Sequence, residues 1–106
     1  MENNIITSIY INVKTNEEFT EKELKMAKSI LLHTSAWAVN GGVFLNPPQN
    51  VDTNCLFEIE LVFEKAISID EGEKIKQILP VRIRSVFRNA NLEDPILEIK
   101  EHIVSA

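Results

Sequence analysis

Three segments of the chain share one parity, with apolar residues at odd positions and mostly polar residues between them. Ile5, Ile9, Ile11 and Val13 alternate with Ser8, Tyr10, Asn12 and Lys14. Cys55, Phe57, Ile59, Leu61 and Phe63 alternate with Glu58, Glu60 and Glu64. Val81, Ile83 and Phe87 alternate with Arg82, Arg84 and Arg88. Successive side chains of a strand point to opposite faces, so each segment predicts a strand with one dry and one wet face.

Between the first two segments the period changes. Thr20 followed by Glu23 predicts a capping box, and Phe19 and Leu24 flank it as a hydrophobic staple. The helix is expected from about Glu21 to Val39, stopped by left-handed backbone at Asn40-Gly41-Gly42. Leu24, Ala27, Leu31, Thr34 and Ala38 make a sheet-facing stripe. A second stripe, Met26, Ile30, His33 and Trp37, lies beside it. It belongs either to the same core or to a partner surface centred on Trp37, since Trp and Met are enriched at interfaces.

Val43-Phe44-Leu45 predicts a short edge strand, which Pro47 and Pro48 end because neither can donate a ladder hydrogen bond. The segment 43–54 is long for a connection in a compact domain, and such loops are often functional. A strand over about 54–65 follows. Asp70 then predicts an N-cap for a short helix through 74–79, ended by Pro80 ahead of the arginine-bearing strand. Ile75, Leu79, Ile83 and Val86 also fit helical spacing, so the alternative is one helix kinked at Pro80. In the tail, Asp94-Pro95 resembles an N-cap and N1 pair, and Leu92, Ile96, Ile99 and Ile103 fit a helical stripe. A helix is favoured over a strand there.

Together these elements predict a single α+β domain over residues 1–106. It is expected to be a two-layer sandwich with a ferredoxin-like βαββαβ arrangement and a C-terminal helical extension. A chain of 106 residues suits one such domain. A single cysteine rules out an intramolecular disulfide, and the N-terminus has neither the basic region nor the apolar run of a signal peptide. No stretch approaches the length of a membrane span. A cytoplasmic protein is therefore expected, with no membrane association. Abundant Ile, Asn, Glu and Lys suggest an AT-rich genome, such as that of a low-GC bacterium or a phage.

The chemistry-bearing residues are sparse. The histidines, His33 and His102, form no HxxxH or HExxH pair, and Cys55 has no CxxC partner, so no metal site is expected. Cys55 shares the inward parity of Phe57 and is expected in the core, where a thiol is inert. His33 and Ser35 are two apart on a helix and face away from each other. With only three glycines the chain has no phosphate-cradling motif. No cofactor and no catalytic residues are expected.

What remains is surface. Glu58, Glu60 and Glu64 would share one side of the sheet with Arg82, Arg84 and Arg88, the only arginines, and Tyr10 would lie between them. Such a face is either solvated or a bipolar docking surface for a partner or a second copy of the chain. The expected function is a small non-enzymatic protein-binding module, possible homodimer included. An inhibitor, antidefence or immunity-type accessory protein of a phage or mobile element is the kind in view. Met26, Ile30, His33, Trp37, Tyr10, Arg82, Arg84, Arg88, Phe44, Pro47 and Pro48 are its candidate contacts. One alternative is a single-stranded nucleic-acid binder using the arginine-lined sheet face. The net charge of -5 and the lone Tyr10 weigh against it. The other alternative is a small-molecule-binding or catalytic domain using the 43–54 loop.

Overall fold

The computed structural model describes residues 4–39, 41–46 and 55–105. Its elements are β1 (Asn4–Lys14), α1 (Glu21–Ala36), β2 (Gly42–Asn46), β3 (Cys55–Ser68), α2 (Ile69–Asn89) and β4 (Ile96–Ser105). The strands form one sheet in the order β2-β3-β1-β4, and every neighbouring pair is antiparallel. It follows that β1 runs parallel to β2 with β3 between them, and β3 parallel to β4 with β1 between them. Each helix is thus the crossover of a βαβ unit, and the two units interleave. The class is α+β.

One core joins the layers. Ile9, Ile11, Val13, Ile59, Leu61, Ala27, Leu31, Leu79, Ile83 and Phe87 are fully buried in a single cluster. Phe57 packs against this cluster while remaining partly exposed, and Leu24 is half-buried. The parity of β1 holds from Ser8 to Lys14 and then breaks. Thr7 is an extra residue relative to β4, because Ile6 pairs with Ile103 and Ser8 with His102. On the other side Phe63, Glu64, Lys65 and Ala66 stand against Thr7 alone. A bulge of this kind exchanges the two faces. Ile6, not Ile5, is therefore buried, and it pairs with Ile67.

The start of α1 is as the capping pattern predicts. The Glu23 amide donates to Thr20 Oγ1 at 3.2 Å, and the Thr20 amide donates to Glu23 Oε1 at 2.9 Å. Its end is not. The helix stops at Ala36 with Trp37 as a right-handed C-cap, neither Gly41 nor Gly42 has positive φ, and Asn40 lies outside the described residues. Gly41 has another reason to be glycine. A Cβ there would run into the Val62 carbonyl oxygen of β3.

Two expectations for the last third are corrected. Residues 81–88 are not a strand: α2 runs from Ile69 to Asn89 with Pro80 inside it. The buried positions Gly72, Leu79, Ile83 and Phe87 follow the helical period. Val81, inward-facing under the strand reading, is 63% exposed. The N-cap of α2 is Ser68, not Asp70, with the Glu71 amide donating to Ser68 Oγ at 3.2 Å. The tail is not a helical extension but β4, which pairs along β1 from Ile96 to Ser105. The turn that divides α2 from β4 is a Schellman motif. Asn91 takes the left-handed conformation at φ 60, the Leu92 amide donates to the Phe87 carbonyl, and the Asn91 amide donates to the Arg88 carbonyl. Leu92 and Phe87 are both buried in the core.

Candidate functional site

The helix layer exposes Trp37, Ile78, Val81 and Val86. Trp37 ends α1 and is 48% exposed. Its ring lies under the guanidinium of Arg82 from α2, 4.7 Å from the ring centroid, a cation–π contact across the two helices. Towards the N-terminus of α2, Trp37 and Ala38 face Glu71, Lys74, Ile75 and Ile78 across a shallow groove of about 300 Å³. Ile78 and Val81 stand one turn apart beside it, and both are exposed. The surface thus pairs an aromatic ring and two aliphatic side chains with the cations of Arg82 and Lys74 and the carboxylate of Glu71.

The second stripe of α1 divides. Met26 and Ile30 pack partly buried against the core, so they are core-edge residues. His33 is exposed, and its Nδ1 lies 2.9 Å from the Ser29 carbonyl oxygen one turn back. Only Trp37 projects as a surface anchor. Ile78 and Lys74, which line the groove, and Val81 beside it are absent from the sequence-based candidates. Read as a helix, 69–89 places them on its outward side, so the strand reading of 81–88 concealed them.

The arginines do not line the sheet. Arg82 joins Trp37 as described. Arg84 Nε donates to the Pro95 carbonyl oxygen at 3.4 Å. Arg88 Nε donates to both Asp94 carboxylate oxygens, at 2.9 and 2.8 Å, with Nη2 at 2.6 Å from Oδ2. The Arg88 hydrogen bonds hold the Asp94 carboxyl below its ordinary pKa and raise that of Arg88. Arg84 and Arg88 therefore tie the end of α2 to the entry of β4.

The open sheet face is acidic and mixed. Across it, Phe44 of β2 pairs with Glu60, Glu60 with Tyr10, and Tyr10 with Lys100. Asn46, Glu58, Asn12 and Glu98 form the next row. Lys14 bridges to Glu98 at 2.9 Å. Phe44 is 51% exposed, its ring folded over Gly42, where a Cβ would come within 2.7 Å. The expected row of glutamates facing arginines across this sheet is thus replaced by glutamates beside lysines. With no arginine among the described residues of the face, the arginine-lined nucleic-acid surface is not formed. Pro47 and Pro48, the body of the 43–54 loop and the side chain of Cys55 lie outside the described residues.

Among the described residues, no group of three or more His, Cys, Asp or Glu could hold a metal ion. No helix of the described residues is long and apolar enough to cross a membrane. No protein-family model matches the chain, and no curated protein or solved structure matches it.

Proposed function

We propose that the chain is a cytoplasmic, non-catalytic protein-binding module that docks its partner on the helix layer. The observation that carries this reading is the half-exposed Trp37, held by Arg82 and flanked by Ile78 and Val81. A Trp fixed in place by a neighbouring cation meets a partner with little further loss of side-chain freedom, and Trp and Arg are the residues that most often anchor protein interfaces. Arg82 and Lys74 beside the groove favour a partner that presents an apolar side chain next to a carboxylate. Small accessory proteins that act by covering a partner's surface, as inhibitors and immunity-type proteins do, need no more machinery than this. We also propose that the interleaved βαβ units are a ferredoxin-like sandwich, a scaffold that presents its helix layer on one side of the sheet.

The test is selection of binders from a random peptide display library, followed by Trp37 fluorescence titration of the native chain and isothermal titration calorimetry of the native chain and its variants. Recovered peptides are expected to share an aromatic or aliphatic residue beside Asp or Glu, to shift Trp37 emission, and to lose binding to Trp37→Glu and Arg82→Glu. Peptides that bind those variants as tightly as the native chain would sink the reading.

A further inference from the structure

The end of the sheet opposite β2 is the long edge strand β4, which has β1 on one side and no strand on the other among the described residues. Proline stands only at its entry, at position 95, and the pairing with β1 is regular from His102 to Ile96. An edge of this length presents a row of backbone donors and acceptors that invites a further strand. Its side chains say which one. On the open face Ile96, Glu98, Lys100 and His102 alternate with Leu97, Ile99 and Glu101 on the helix side.

We propose that a second copy of the chain pairs antiparallel along β4, with the two-fold axis passing beside Ile99, to make a continuous eight-stranded sheet. An antiparallel two-fold sets each residue opposite one of the same face, so few registers exist, and like charges count against those centred at 98, 100 and 101. An axis at 98 opposes Glu98 to Glu98, at 100 Lys100 to Lys100, and at 101 Glu101 to Glu101. Like charges directly opposite are destabilising. An axis at 99 sets Ile99 against Ile99, and Glu98 of each copy against Lys100 of the other. Glu98 already meets Lys14 in its own chain, so the open face would carry Lys14, Glu98 and the second copy's Lys100 in sequence. On the helix side Leu97 meets the second copy's Glu101. The charge of Glu101 is already met by Lys76 of α2, and its side chain is only 10% exposed. This contact involves none of the residues of the Trp37 groove and stands or falls separately from the docking reading.

Sedimentation velocity across the micromolar to low millimolar range tests it, with circular dichroism to verify the fold. The native chain is expected to be a monomer–dimer equilibrium. Lys100→Glu opposes Glu98 to a carboxylate twice in each dimer and should raise the dissociation constant by roughly tenfold or more. The double variant Glu98→Lys with Lys100→Glu restores opposite charges only if 98 faces 100, and should recover most of the lost affinity. A native chain that stays monomeric throughout the range, a dimer indifferent to Lys100→Glu, or a double variant no tighter than the single one overturns the proposal.

Discussion

The Arg82 guanidinium and the Trp37 ring, 4.7 Å apart at the centroid, connect α2 to the end of α1. Neither residue is buried, so the contact arranges surface more than it supports the core. Arg82→Ala should cost about 0.5–1 kcal/mol of stability, the range for an exposed cation–π pair. It should also raise the accessibility of the tryptophan to a neutral quencher such as acrylamide, since the guanidinium covers one face of the ring. Trp37 is the only tryptophan, which makes the signal unambiguous. Unchanged quenching would show that the guanidinium does not cover the ring in solution.

Ser35 is fully buried at the end of α1, and its hydroxyl has no hydrogen-bond partner among the described residues. A buried polar group without a partner keeps its desolvation cost and recovers nothing. Ser35→Ala should therefore stabilise the chain by about 1 kcal/mol in urea denaturation. A loss of stability in Ser35→Ala would mean that the hydroxyl is satisfied after all.

Asn91 sits in the left-handed region at φ 60, and its amide closes the Schellman turn onto Arg88. A β-branched side chain fits that conformation poorly. Asn91→Val should cost about 1–2 kcal/mol, whereas Asn91→Gly should be neutral or mildly stabilising. Thermal melts of the two variants measure the difference directly.

Asp94 gives the fold an acid-sensitive clasp. Its carboxyl is held below the ordinary range by the hydrogen bonds from Arg88. A depressed folded-state pKa stabilises the fold above the unfolded-state value of about 3.9, and the contribution is lost as pH falls through the folded-state value. Because the pair is exposed, the effect is small and weakened by salt. Asp94→Asn should flatten the pH dependence of the melting temperature below about pH 4 and leave its shape near neutrality unchanged. An unaltered acid limb would show that Arg88 does not hold the carboxylate in solution.

Much of the fold is legible along the chain, and each legible part is local. The Thr20–Glu23 capping box is written in residues three apart, and both of its hydrogen bonds form. Ile9, Ile11 and Val13 alternate over a regular stretch, and Ile59 and Leu61 over another, and all of them are buried. The second stripe of α1 stands out in the sequence as core or surface, and the structure divides it, with Met26 and Ile30 at the core edge and Trp37 half exposed.

Between Pro80 and Ser105 local pattern supports two answers, and tertiary packing chooses. Ile83 and Phe87 satisfy a strand as well as a helix, because four is a multiple of the strand period and close to one helical turn. The choice falls to Leu79 and Gly72, which bring the helical stripe onto the core, and to Gly72 in particular, where a Cβ would meet Ile6. Pro80 leaves one carbonyl of α2 without its intrahelical amide, a local cost that burial of the stripe overrides. Leu92, Ile96, Ile99 and Ile103 fit a helix and Leu97, Ile99 and Ile103 fit a strand interrupted by Glu101, and the far edge of β1 decides between them by offering a ladder of backbone partners. The bulge at Thr7 has no sequence mark, since it answers to the strands on both sides. The chain by itself determines the Thr20 cap and the parity of its two longest regular strand stretches, because those depend on neighbours within a few residues. That Arg82 meets Trp37, and which edge of the sheet stays open, depends on residues far apart in sequence, and only the packed structure brings them together.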